Sequence, residues 1–238
     1  GYGSYQHLGG FQPVAMPGSA QAMREPWRNT LAHLWQLPDS QQVIDRYGDL
    51  EIIRFLQQQP LATLETMIRK RLNSPPASSA GRLFDAVAAA LGVCREQAGY
   101  EGQAAIELET LATEHFSAEA GKGYDYDWRD RQLQWAPLWR EVLEELDQGV
   151  AMGEIAARFH HGLADAVGNT AARLAREQGV TTVALSGGVL QNRLLLERLS
   201  QLLREQKLRV ITPQKIPVND GGLSLGQAVV ALATTVHD

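Results

Sequence analysis

The sequence predicts a helix-rich α/β protein, and two features carry that prediction. From Thr181 onward, short β-branched and apolar runs alternate with a helical pattern, the order expected of a parallel strand–helix–strand lobe. Before Thr181, apolar residues recur mostly at helical spacing. A chain of 238 residues with 44% apolar content can bury the core of one large domain or two lobes.

In the closing part, Thr181 to Leu185 reads as a strand and Ser186-Gly187-Gly188 as the turn that ends it. A helix follows from Asn192 with Leu195, Leu199, Leu202 and Leu203 on its buried side. Arg209 to Thr212 reads as the second strand, Pro213 to Pro217 as the crossing, and Asn219-Asp220-Gly221-Gly222 as a sharp turn before a last helix from Leu223. Residues 181–238 thus form an α/β part, preceded by a mainly helical part, 24–180, and an extended segment, 1–23.

Within 24–180, Pro26, Pro38 and Pro60 break the helical pattern between Arg24 and Arg71, and Trp27 and Trp35 fall two turns apart on one side. Pro75-Pro76 marks a loop, after which Ser79 is placed to cap a helix with Leu83, Phe84, Val87, Ala88 and Leu91 as its apolar stripe. Further helices are expected over 101–114, 138–146 and 152–178. Gly162 and Gly168 interrupt the last and permit close approach of a neighbour. Residues 115–137 have no sustained period and read as a loop or insertion, with hairpin pairing left open.

A net charge of −5 without a basic block argues against nucleic acid as partner. No apolar run approaches a membrane span, and Gly1 to Tyr5 has neither the basic nor the apolar region of a signal peptide. Cys94, the only cysteine, excludes an intramolecular disulfide and a thiolate zinc cluster; its small apolar neighbours suit a filler rather than a nucleophile. His160 and His161 are adjacent and point about 100° apart on a helix, which does not suit a ligand pair. His7, His33, His115 and His237 lack ligand spacing. No serine elbow, phosphate-loop motif or dinucleotide fingerprint occurs.

Three places can hold chemistry. After a strand, Gly187 and Gly188 let the backbone bend and approach a ligand, and the next helix offers its positive end to phosphate, with Asn192 able to donate and accept. An ordinary strand–helix turn reads the same way. Asp220, in its tight turn, suits either a metal ion or phosphate-bound cation, or a helix cap. In an open parallel sheet the two turns would share the carboxyl edge. Asp85, on a largely apolar helix, either accepts two ribose hydroxyls or pairs with Arg82 on the surface; Tyr100-Glu101-Gly102 follows close by.

These blocks carry a resemblance. Ser79-Ala80-Gly81-Arg82-Leu83-Phe84-Asp85 and Tyr100-Glu101-Gly102-Gln103-Ala104 resemble the carboxy-terminal region of HypF, the carbamoyltransferase family of [NiFe]-hydrogenase maturation. Leu185-Ser186-Gly187-Gly188-Val189 through Leu195, Asn219-Asp220-Gly221-Gly222-Leu223, and the opening His7-Leu8-Gly9-Gly10-Phe11 with Arg24-Glu25-Pro26-Trp27 are similar to it as well. The resemblance implies an actin-like, sugar-kinase-like ATPase domain, shared with the tRNA threonylcarbamoyl transferases, here truncated on its amino-terminal side. It implies that Gly187, Gly188, Asn192 and Gly102 contact ATP or carbamoyl-adenylate, that Asp85 binds ribose, and that Asp220 ligates a divalent metal.

The implied reaction is cytoplasmic. Carbamoyl phosphate and ATP give carbamoyl-adenylate, and the carbamoyl group passes to the carboxy-terminal cysteine of HypE. The family's histidine-rich metal motif and its first glycine-rich phosphate segment are not in this sequence, so the metal would be completed by histidines upstream. The chain by itself is then expected to bind nucleotide weakly and not to turn over; no catalytic residue is assigned. A tRNA threonylcarbamoyl transferase-like protein and a noncatalytic nucleotide- or partner-binding lobe are the alternatives.

Overall fold

The computed structural model describes residues 5–117 and 121–235; residues 1–4, part of the 115–137 segment, and the tail with His237 lie outside the described residues. By contact the chain divides into two units. Gly10–Leu163 form one; Ala164 onward, together with the residues before Gly10, form the other.

The first unit opens with two short strands, β1 (Gly10–Phe11) and β2 (Val14–Ala15), and then five short helices. Prolines set most of the breaks, as expected. α1 (Ala20–Arg24) stops ahead of Pro26, α2 (Trp27–Trp35) ahead of Pro38, and α3 (Ser40–Arg46) and α4 (Glu51–Gln57) precede Pro60, where α5 (Leu61–Arg69) begins. Trp27 is buried against Phe55, whereas Trp35 is only half-buried.

β3 (Pro76–Ala77) pairs antiparallel with β2 and delivers the chain to α6 (Ala80–Ala90), where Ser79 Oγ accepts the Arg82 N–H at 3.4 Å. The sequence suggests an amphipathic helix here, but α6 is buried from Leu83 through Ala90, alanines included. A helix closed in on all sides belongs to the middle of a helical core. Small side chains allow it: α2 packs along α6, and Thr30 Oγ1 donates to the Ala86 carbonyl at 2.7 Å.

α7 (Gln103–Thr113) packs on α6. In the segment read as irregular, β4 (Asp127–Arg129) and β5 (Gln132–Gln134) form a hairpin whose turn places Asp130 and Arg131 at positive φ. β5 also pairs in parallel with β1, giving the order β1-β5-β4. α8 (Ala136–Asp147) carries Pro137 in its first turn, where a missing N–H is harmless.

α9 (Met152–Gln178) is one uninterrupted 27-residue helix, so its glycines are not breaks. They are contact points, as their lack of a side chain suggests. A Cβ on Gly162 would lie 2.6 Å from the Tyr124 backbone nitrogen, and one on Gly168 would lie 3.2 Å from a Leu199 methyl.

In the second unit, β6 (Thr182–Ala184), α10 (Arg193–Glu205) and β7 (Arg209–Ile211) make the expected strand–helix–strand unit: β6 and β7 pair in parallel, in register Val183 to Val210. Leu194, Leu195, Leu199 and Leu203 of α10 are buried. α11 (Leu223–Thr235) closes the described chain.

Candidate functional site

The second unit brings its two glycine-bearing turns together. The Gly187 N–H donates to the Val218 carbonyl at 2.9 Å, and Ser186 Oγ reaches the same oxygen at 3.5 Å. Gly187 has φ +116°, a conformation that disfavours any side chain, although a Cβ there would meet no atom. Gly188 starts a 3₁₀ turn to Gln191; a Cβ on it would come no nearer than 3.8 Å to Asn219. Open space therefore lies over both glycines.

Asn192 is buried and its Oδ1 accepts the Leu195 N–H at 2.9 Å, so its amide oxygen caps α10. The second turn is a short 3₁₀ segment, Asp220–Gly222, capped by Asn219, whose Oδ1 accepts the Gly221 N–H at 3.1 Å. Capping was one reading of Asp220; the structure gives that task to Asn219 and leaves Asp220 exposed. The first position of the four-residue motif carried that signal, because Asn is as strong a cap as Asp. The second glycine that follows is sterically required: a Cβ on Gly222 would lie 2.7 Å from the Pro217 carbonyl oxygen.

Asp85 lies in the first unit, buried on α6. Its Oδ2 meets Arg82 Nη1 at 2.8 Å, with side-chain exposures of 5% and 14%. The pair is thus real but buried, not the surface pair considered from sequence. Burial pushes the Asp85 carboxyl up to about 6; the Arg82 guanidinium opposes this and the Glu101 charge adds to it. Gly102 caps α7 at φ +82°, with nothing within 4 Å of a would-be Cβ, while Tyr100 beside it is exposed.

Cys94 Sγ donates to Glu107 Oε2 at 3.3 Å, and burial pushes its thiol up to about 11, which keeps it protonated. His160 Nδ1 bonds the Ala156 carbonyl at 2.7 Å among Phe84, Phe116 and Phe159, and His161 stacks on Phe116 at 4.2 Å. Both rings act as core aromatics. Among the described residues no group of three or more His, Cys, Asp or Glu side chains converges on a metal-sized point. Asp220 with its neighbours is one carboxylate on a turn, which does not fit a metal by itself. The glycine turns, in contrast, leave the uncluttered backbone that a phosphate or nucleotide needs.

Over residues 1–227 the sequence matches the family described as "Carbamoyltransferase, Kae1-like Domain, second subdomain". It is 39% identical over 231 residues to a carbamoyltransferase HypF homolog of Cupriavidus necator, covering 94% of this chain and 57% of that protein. To the carbamoyltransferase HypF of Rhodobacter capsulatus it is 36% identical over 233 residues, covering 98% of this chain and 29% of that protein. The crystal structure of full-length HypF in its phosphate- and nucleotide-bound form superposes with a TM-score of 0.84 at 31% identity, over 97% of this chain and 29% of that one.

Fold and sequence together define a helix-rich α/β domain of the Kae1-like class, within the actin-like and sugar-kinase-like ATPase folds. More narrowly, the chain belongs to the HypF carbamoyltransferase family and corresponds to its carboxy-terminal region. No helix among the described residues is long and apolar enough to cross a membrane.

Proposed function

We propose that this chain serves as the nucleotide-facing part of a cytoplasmic carbamoyltransferase of hydrogenase maturation. The observation that carries the reading is the junction of the two turns, Gly187 N–H to Val218 carbonyl, inside a sequence that matches the second subdomain of the family. Gly187 and Gly188 admit the phosphates of ATP or carbamoyl-adenylate to the backbone, and the positive end of α10, held by Asn192, faces negative charge. Gly102 lets the nucleotide pass without a Cβ, and Asp85 accepts the ribose hydroxyls. Asp220 supplies one ligand to a divalent cation whose other ligands, histidines, come from outside this chain.

The reaction is carbamoyl transfer from carbamoyl-adenylate, itself made from carbamoyl phosphate and ATP, to the carboxy-terminal cysteine of HypE. The thiolate attacks the carbamoyl carbon, a C–S bond forms, the C–O bond to the phosphate breaks, and AMP leaves with the electron pair. This chain's share is binding and positioning, which can account for a large part of such a barrier. Cys94, protonated and bonded to Glu107, takes no part as acceptor.

Calorimetric titration with ATP and Mg²⁺ or Mn²⁺ tests this reading, comparing the chain with a form extended by the segment that precedes the matched region in its relatives. The extended form is expected to bind tightly and only with metal, the chain weakly. Equal, metal-independent affinity in both overturns it.

A further inference from the structure

Asp85 is a buried carboxylate with its acceptors only partly used. Arg82 Nη1 stands 2.8 Å from Oδ2, yet the two are not aligned as a hydrogen bond, so charge holds the contact. Oδ1 has no hydrogen-bond partner among the described residues either, but unlike Oδ2 it is not sealed from solvent. The buried oxygen left without a hydrogen bond is Oδ2, a costly arrangement that only the Arg82 charge offsets, while Oδ1 stays open to an incoming donor. Arg82 is itself fixed: its backbone N–H is bonded to Ser79 Oγ in the first turn of α6, and its side chain lines a small cavity with Ser79, Asn29 and His33.

We propose that Arg82 is the positioning residue for the Asp85 carboxylate, holding Oδ2 by charge and leaving Oδ1 as the acceptor for a pair of vicinal hydroxyls. This rests on the reading of Asp85 as the ribose site. Around Asp85, Arg82 comes from α6 itself, Cys94 from the turn after α6, and Glu101 from the approach to α7. Glu101 and burial favour the neutral acid, and Arg82 is the single cation working against them. α2, packed on α6, presents Thr30 and an uncharged His33, neither of which can replace that charge. Arg82 therefore sets both the direction of the carboxylate and the pH at which it becomes an acceptor-only group.

Two measurements test this. The first follows the Asp85 carboxyl carbon by NMR against pH in the chain and in R82Q and R82K. The midpoint is expected near pH 6 in the unaltered chain, higher by about one pH unit or more in R82Q, and partly restored in R82K. The second compares ATP with its 2′,3′-dideoxy analogue at pH 7. A one-unit rise alone would lower the ribo preference about twofold, so a larger loss reports lost orientation. An unmoved midpoint with an unchanged ribo preference in R82Q overturns the role of Arg82, even where D85N abolishes that preference. If D85N keeps the full ribo preference, the ribose reading of Asp85 falls instead, and the NMR titration still decides whether Arg82 controls the carboxylate.

Discussion

Gly123 and Gly162 pass backbone to backbone in the first unit, and neither has room for a methyl group. A Cβ on Gly123 would overlap the Gly162 backbone, and one on Gly162 would stand 2.6 Å from the Tyr124 nitrogen. The approach seats Tyr124, whose hydroxyl donates to Glu145 while Arg158 lies over its ring.

Gly123→Ala and Gly162→Ala are therefore expected to cost about 3 kcal/mol or more each, since backbone cannot yield as a side chain can. Gly149→Ala is the control: φ is +71° but nothing lies within 4 Å, so strain alone should cost about 1 kcal/mol. Urea unfolding of the three variants checks the order, and a Gly123→Ala loss no larger than that of Gly149→Ala would contradict the contact.

At the first glycine turn, conformation and space separate. Gly187→Ala, forced to φ +116°, should lose about 1–2 kcal/mol of stability. Gly188→Ala meets only Asn219 at 3.8 Å and should unfold within about 0.5 kcal/mol of the parent. Its methyl group would nevertheless enter the space assigned to phosphate, so ATP affinity should fall about tenfold. Unchanged affinity in a folded Gly188→Ala variant would move the phosphate site elsewhere.

Much of this was legible in the sequence, and the reasons differ by element. Prolines 26, 38 and 60 exclude helix interior by their own chemistry, so the helix breaks between Arg24 and Arg71 needed no tertiary knowledge. The parallel pairing of β6 with β7 followed from β-branched runs flanking one helix. The hairpin of β4 and β5 did not show, because its two three-residue strands carry no period and its turn uses Asp130 and Arg131 in place of glycine. Full burial of α6 was also hidden: Ala86, Ala89 and Ala90 look like a neutral face, and only the partner helices reveal why they are small. Asp85 and Arg82 were read as neighbours at i, i+3, but their burial depends on what packs over α6.

The pH dependence of stability should be a contest between two buried histidines and one buried acid. Burial holds His33 down to about 3 and His160 down to about 4, the latter despite its bond to the Ala156 carbonyl. Depressed histidines contribute stability that is present above 6.5 and lost as pH falls toward those values. Asp85, raised to about 6, works the other way: its penalty is complete above that value and relieved as pH falls toward 3.8. Near pH 5 the histidines take up about two protons on unfolding and Asp85 releases about one, so these three groups leave a net slope of roughly 1.4 kcal/mol per pH unit. Asp85→Asn should nearly double that slope, and His33→Gln should bring it close to zero. Urea unfolding at half-unit steps from pH 4 to 7 reads it directly; a slope unaltered in either variant contradicts the assigned shifts.

Asn192 offers the cleanest separation of a structural role from a binding role at the same position. Its Oδ1 caps α10 through the Leu195 N–H, so Asn192→Ala should cost about 1 kcal/mol. Asn192→Asp keeps an acceptor of the same shape and adds negative charge to the positive helix end, which should hold stability level or raise it by up to about 1 kcal/mol at low salt. That same charge would face the phosphates proposed to sit at this helix end, and like charges there repel. Asn192→Asp is therefore expected to be as stable as the parent yet to bind ATP at least about tenfold more weakly, with the deficit shrinking as salt screens it. Thermal unfolding and ATP titration at two ionic strengths check both halves. A stable Asn192→Asp variant with undiminished affinity would place the phosphates away from α10.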